Sequence, residues 1–282
     1  MTEHLFDFHN TKIFYRLLGE EDAERLLVCV HGLTGNSTDC VPLGQRLVSE
    51  GYRVAVIDMP GRGKSDLFQN AEDYSYKIYM DVLHQFLDEI NASNYALDWY
   101  GISMGGLLGI RFAGMADSPI ERLILNDIGP VVPESDLDLI REYLKLEYRF
   151  ETFEEFRDFL KQGRQIAYGN LPEELWTELA RNNVWQDKDG LYVPAFDRNI
   201  DLMFDKEPIG ELDLWPFWDL ISARTLAIRG GKSTLFPLSV LEDMQKRKPE
   251  KLDVITFDEC GHVPPILEPK QISPVVDWLK KL

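Results

Sequence analysis

The stretch ALDWYGISMGGLLGIRFA, residues 96–113, decides the fold. Ala96–Tyr100 is a short, nearly continuous apolar run of the kind that forms a buried strand. Gly101-Ile102-Ser103-Met104-Gly105 follows, and the small and apolar residues from Gly106 to Ala113 then read as a helix. A serine on a sharp strand-to-helix turn needs small neighbours, because the turn strains the backbone and brings strand and helix close together. Such a turn lifts the hydroxyl to the end of the sheet, where ligands bind in open α/β folds. GxSxG alone is a weak pattern, but a strand before it and a helix after it make it specific. Ser103 is therefore the candidate nucleophile.

The same rhythm extends outward in both directions. Leu26–Val30, Arg53–Ile57, Arg122–Leu125, Thr225–Ile228 and Asp253–Phe257 also read as strands covered on both faces. Residues 76–91 carry Tyr76, Tyr79, Met80, Leu83, Phe86, Leu87 and Ile90 at three- and four-residue spacing, which gives one apolar helical stripe. Residues 107–115, 240–246 and 272–282 are further helical candidates. Leu5–Leu18 holds two alternating runs around His9–Thr11 and reads as an antiparallel hairpin at the sheet edge. Strand and helix in alternation predict a mostly parallel α/β sheet.

Between Val131 and Trp215 the rhythm breaks into a helical, acidic and aromatic segment. It holds 20 Asp plus Glu against 10 Lys plus Arg, a net of −10 within a chain of −18, so more than half of the net charge is concentrated there. Gly190 and Pro208–Gly210 mark turns inside it. The expected organisation is a core of residues 1–130 and 216–282 interrupted by this insertion at 131–215. Most of the acidic side chains are expected on solvated helix faces.

Thirty Lys plus Arg against 48 Asp plus Glu disfavour a nucleic-acid binder, which depends on cations that neutralise phosphates. The same balance disfavours an anionic membrane surface. No apolar window is long enough to span a bilayer, and Met1–His9 lacks the pattern of a secretory signal. Cys29, Cys40 and Cys260 are odd in number and widely spaced, so buried thiols and a cytoplasmic location are expected. Gly61-Arg62-Gly63-Lys64-Ser65 lacks the first glycine of a phosphate loop, because Asp58 stands in its place. No spacing suggests a metal site, and no cofactor is expected.

A serine nucleophile requires a base, and histidine has the proton affinity for that task. Nucleophile first and histidine near the C terminus is an order that favours His262 in Cys260-Gly261-His262. His31, opening His31-Gly32-Leu33-Thr34-Gly35, is assigned a loop-ordering role. The backbone N–H groups of Leu33 and Met104 are the candidate oxyanion donors. Asp58 is read as a structural group that holds its glycine-rich turn.

His31-Gly32-Leu33, Asp58–Asp66, the Ser103 turn, Asn126-Asp127-Ile128-Gly129-Pro130 and Gly261-His262 together resemble the α/β-hydrolase-fold enzymes of the esterase, C–C hydrolase and perhydrolase-like group. The resemblance spans nearly the whole chain. It implies an eight-stranded, mostly parallel sheet flanked by helices, with the insertion forming a helical cap after the sixth strand. In similar proteins the acid that orients the histidine usually follows the seventh strand, but here Thr234 stands at that position. Some members place it after the sixth strand, where this chain has Asp127, so Asp127 is the expected acid ahead of Asp258 and Glu259.

The expected activity is acyl transfer on a small neutral ester through Ser103, His262 and Asp127. Trp185, Trp215 and Trp218 are expected in the substrate pocket, and an acidic cap is expected to disfavour anionic substrates. Carbon–carbon bond hydrolysis or perhydrolysis with the same triad is the first rival. A non-catalytic ligand-binding member is the second, motivated by Thr234. Dehalogenase and epoxide-hydrolase relatives carry Asp where this chain has Ser103. A small-molecule ester, and at most a second copy of the chain as a homodimer, complete the expected partners.

Overall fold

A computed structural model describes residues 1–205 and 212–281. The turn expected at Pro208–Gly210 and the final Leu282 lie outside the described residues. Eight strands form the central sheet: β1 (Thr2–Phe8), β2 (Thr11–Leu18), β3 (Arg25–Val30), β4 (Arg53–Ile57), β5 (Ala96–Ile102), β6 (Ile120–Asn126), β7 (Arg224–Gly230) and β8 (Leu252–Phe257). Their order is β1-β2-β4-β3-β5-β6-β7-β8. β1 and β2 are antiparallel, β2 joins β4 antiparallel, and the pairs from β4 to β8 are parallel. The β1–β2 turn uses His9 and Asn10 at φ 49° and 65°, the left-handed geometry that suits the twist of a two-residue hairpin.

The period-two alternation of the strands sorts their side chains into two cores. Val28, Val30, Ala55, Ile57, Trp99 and Leu123 face helices α2 (Tyr76–Glu89) and α3 (Met104–Ala113). Leu27, Cys29, Val54, Val56, Ile124 and Ile228 belong to the opposite core, with α1 (Val41–Val48) and α9 (Pro269–Lys280). α2 starts at Ser75, whose hydroxyl accepts the Ile78 N–H, and it buries Tyr76, Tyr79, Val82, Leu83, Phe86 and Leu87. Each such apolar side chain contributes about 1.5–3 kcal/mol when fully buried. α1 has no counterpart among the helices expected from the sequence. It is only eight residues long, too short for periodicity to declare it.

An ion-pair cluster links β3, β5 and β6. Asp98, fully buried, accepts two bonds from Arg122 at 2.8 and 2.6 Å and two from Arg25 at 3.1 and 2.7 Å.

Between β6 and β7 lie α4 (Glu134–Lys145), α5 (Phe153–Tyr168), α6 (Glu173–Asn182) and α7 (Trp215–Leu220). The segment also carries two small antiparallel pairs: Val184–Gln186 with Tyr192–Pro194, and Val131–Val132 with Leu212–Asp213. α5 begins in a capping box, in which Thr152 and Glu155 satisfy each other's backbone N–H. Phe156, Leu160, Trp176, Leu179 and Ala180 form a separate small core between α5 and α6. The segment is tied to the sheet domain by polar bonds. Trp185 Nε1 donates to Gly63 O, Asn36 Nδ2 to Asn182 O, and Tyr74 OH to Asp197 Oδ2, at 2.9, 2.8 and 2.6 Å. α8 (Leu238–Arg247) follows β7. Among the described residues no helix is long and apolar enough to cross a membrane.

Candidate active site

The turn after β5 shows why its glycines are required. Ser103 has φ 47° and ψ −110°, a conformation that an L residue holds only when its surroundings enforce it. A Cβ on Gly105 would lie 2.0 Å from Val30 O, and one on Gly101 would lie 2.3 Å from Gly105 O. β5, α3 and β3 therefore approach as closely as bare backbone permits, and Ser103 is pushed out above the sheet.

Three chain segments then converge at the C-terminal edge of the sheet. His262 follows β8, and its Nε2 lies 2.9 Å from Ser103 Oγ. Its Nδ1 lies 2.7 Å from Asp127 Oδ2. Asp127 follows β6, is fully buried, and holds φ 56° while its other carboxylate oxygen accepts the Gly230 N–H at 2.6 Å. That bond, with Asp127 N–H to Ile228 O at 2.8 Å, fixes the carboxylate against β7. Asp127, His262 and Ser103 thus form one continuous hydrogen-bonded line. Thr234 is exposed, and its hydroxyl donates to Asp136 at 3.0 Å.

Met104 N–H stands at the first position of α3, and Leu33 N–H lies in the loop after β3. Among the described residues neither donates to a protein acceptor; Leu33 lines the cavity beside Ser103, and Met104 directly follows Ser103 in the chain. The loop that presents Leu33 is anchored from below. His31, fully buried, accepts the Met59 N–H on Nε2 at 2.9 Å, and burial depresses its proton affinity to about 3, so it is neutral and a structural acceptor. Asp58 accepts the N–H groups of Ser37 and Lys64 at 2.6 and 2.8 Å and pins the glycine-rich turn. Cys260 is buried, and burial raises its thiol to about 11, so it is not a poised thiolate.

Arg62 was not singled out by the sequence. It is fully buried, and its guanidinium donates to Leu33 O at 2.9 Å, Pro60 O at 2.7 Å and the Tyr79 hydroxyl, with Nη2 3.8 Å from Met104 Sδ. One cation thus touches the carbonyl of Leu33 and the side chain of Met104, the two residues whose N–H groups are the candidate oxyanion donors. No spacing rule announces this, because the contacts come from α2, α3 and two separate loops.

A cavity of about 560 Å³ opens over Ser103 and His262. Tyr143, Tyr148, Phe156, Phe159 and Phe196 of the inserted segment line it, with Asp39 and Arg164 among its polar groups. The three tryptophans expected there are elsewhere. Trp185 is spent on the bond to Gly63, Trp215 lies under the Arg247 guanidinium at 4.3 Å, and Trp218 is fully buried in the core against the sheet. Bulk and aromaticity suggested a pocket, but in each case the packing partner lies on the domain side of the segment.

This arrangement of sheet, serine turn and histidine is that of the α/β hydrolases, and the chain belongs to that family. The family model for the alpha/beta hydrolase fold matches residues 25–269. A 3-hydroxybutyrate-oligomer hydrolase of Cupriavidus necator is 32% identical over 270 residues, covering 93% of this chain and 90% of that protein. A 2-hydroxy-6-oxononadienedioate/2-hydroxy-6-oxononatrienedioate hydrolase of Cupriavidus pinatubonensis is 32% identical over 247 residues, covering 84% of this chain and 80% of the other. A solved structure from Rickettsia typhi superposes with a TM-score of 0.91 at 26% identity, with both chains covered completely. The chain is a hydrolase of this fold.

Proposed function

We propose that the protein is a serine esterase acting by acyl transfer on short oligoesters of a hydroxy acid. The observation that carries this reading is the line Asp127–His262–Ser103, with separations of 2.7 and 2.9 Å. His262 Nε2 takes the proton as Ser103 Oγ attacks the ester carbonyl, and the tetrahedral oxyanion accepts the N–H groups of Leu33 and Met104. The intermediate collapses, the alcohol leaves with the proton from His262, and water repeats the sequence to free the acid. Asp127 keeps the imidazole in the tautomer with Nε2 free to accept and stabilises the imidazolium. The oligoester class is supported by the similarity to a 3-hydroxybutyrate-oligomer hydrolase, together with a cavity within the usual size range of small-molecule sites.

Ser103→Ala should abolish hydrolysis of p-nitrophenyl butyrate, and a fluorophosphonate should label Ser103 stoichiometrically. Retained turnover, or an unlabelled serine, would remove the esterase reading and favour a ligand-binding role. The relative that acts on a 2-hydroxy-6-oxo-dienedioate supports carbon–carbon hydrolysis as a second reading. A vinylogous diketone turned over faster than any ester would install it instead.

A further inference from the structure

The inserted segment is strongly acidic, yet a cation from it faces the cavity without a paired carboxylate. Arg141, Arg149, Arg157 and Arg198 each find a carboxylate at 3.4, 2.6, 2.8 and 2.7 Å. Arg181, which is exposed, and Arg164, on α5 and lining the cavity, have no carboxylate within ion-pair distance among the described residues. The two hydrogen bonds of Arg164, Nη1 to the Tyr168 hydroxyl and Nη2 to Asn183 Oδ1, are both 3.3 Å long. A guanidinium that has found its charged partner makes bonds of about 2.7–2.9 Å. Arg122 does so with Asp98 in this same molecule.

We infer that Arg164 is the recognition site for a carboxylate on the substrate, held in the same cavity as the ester that Ser103 attacks. The neighbours fit that assignment. Tyr168, over whose ring the guanidinium lies at 5.7 Å, and Asn183, anchored by Nδ2 to Leu179 O at 2.9 Å, orient the side chain without neutralising it. Asp39 is the opposing charge on the cavity wall. It accepts the Asn36 N–H at 3.2 Å, and its carboxyl titrates above the usual range because burial outweighs the pull of Arg164. Phe156, Phe159 and Leu160 supply an apolar wall on the same helix.

An oligoester of a hydroxy acid ends in a free carboxylate. The inference therefore rests on the esterase reading and narrows it: for a dimer the carboxylate belongs to the leaving alcohol, and the enzyme is selective for the free acid end. It also reverses the expectation that an acidic cap disfavours anions, because the acidic side chains of that segment are largely exposed or paired with its own cations.

The test compares the linear 3-hydroxybutyrate dimer with the same dimer capped as a terminal primary amide. The native protein should show a kcat/KM about 10- to 100-fold higher for the acid, expressed mainly in KM. Arg164→Gln should remove that preference, lowering kcat/KM for the acid by 10- to 100-fold more than for the amide, and Arg164→Lys should restore part of it. Equal losses on both substrates, or equal efficiency of the native protein on both, overturn the carboxylate site while leaving the esterase reading intact. Failure of the native protein on p-nitrophenyl butyrate strikes the esterase reading instead. In that case calorimetry on Ser103→Ala decides the site alone, because acid binding no tighter than amide binding overturns it. Asp39→Asn should tighten acid binding several-fold, and weaker binding would overturn the placement beside Arg164.

Discussion

The sheet domain and the inserted segment solve the same problem, placing polar groups around a cavity, in different ways. Around β5, β6 and β8 the positions are set by backbone. Ser103 and Asp127 sit at positive φ, Gly105 touches the carbonyl of Val30, and Asp127 is held by the N–H of Gly230. In the inserted segment the positions are set by side-chain packing: Phe156, Leu160 and Trp176 fill a small core, and α5 turns Phe156 and Leu160, with Phe159 and Arg164, to the cavity as well. Backbone-fixed chemistry tolerates almost no substitution, whereas on a packed helix face the cavity-lining residues outside the small core, such as Phe159 and Arg164, can be exchanged without disturbing the site beneath. Under the proposed function the chemical step falls to the sheet domain and substrate selection to the insertion.

The sharpest way to break this division is Asp127→Asn. The amide preserves shape and leaves an oxygen for the Gly230 N–H, but it favours the wrong imidazole tautomer. kcat for p-nitrophenyl butyrate should fall by about 10⁴ with KM little changed. A fall of less than tenfold would move the orienting role to Asp258 or Glu259.

The contrast also explains what could be read from the sequence. The Ser103 turn, His262 and the strand rhythm are local signals, each carried by a few adjacent residues whose spacing has one structural meaning. Asp127 was reached by resemblance, after Thr234 was found at the more usual acid position. Arg62 and Arg164 carry no such signal. Arg62 lies in a glycine-rich run that reads as a turn, and its contacts to Leu33, Pro60 and Tyr79 exist only once the fold has closed. Arg164 is one of ten cations in an acidic segment, and only the three-dimensional arrangement shows that it lacks a carboxylate. The tryptophans failed for the related reason that composition does not say which face of a segment a large side chain takes.

Stability should divide along the same line. Asp98→Ala leaves Arg122 buried without its counter-charge and should reduce unfolding free energy by about 3–5 kcal/mol in urea titrations. Glu147→Ala, which removes the exposed partner of Arg198 in the insertion, should produce no resolvable change in the same assay. Comparable effects of the two would mean that the insertion is as tightly specified as the sheet.

A smaller effect tests the support of the loop that presents Leu33. His31 has a folded-state pKa depressed by burial to about 3, against an ordinary value of 6.5. The unfolded chain gains a proton below about 6.5, and the folded chain does not until about 3. The contribution of His31 is thus complete above 6.5 and is lost as pH falls through that window, by up to about 1.4 kcal/mol per unit. His31→Gln should show a correspondingly shallower fall in stability between pH 6 and 4. An unchanged slope would mean that His31 gains a proton in the folded state.

The smallest expected effect is the most specific to this chain. Thr234→Asp restores a carboxylate at the position where similar proteins keep the orienting acid. Here that position is exposed and bonded to Asp136, while His262 Nδ1 is already engaged by Asp127. The new carboxylate would face Asp136, a like charge, and has no free imidazole nitrogen to reach. Turnover should change by less than about twofold, a difference worth under 0.5 kcal/mol in the barrier. The double variant Asp127→Asn with Thr234→Asp should be as impaired as Asp127→Asn alone. Recovery of activity in the double variant would show that the loop after β7 can swing its acid onto His262, and that Asp127 is held in place by evolutionary choice rather than by the backbone of this fold.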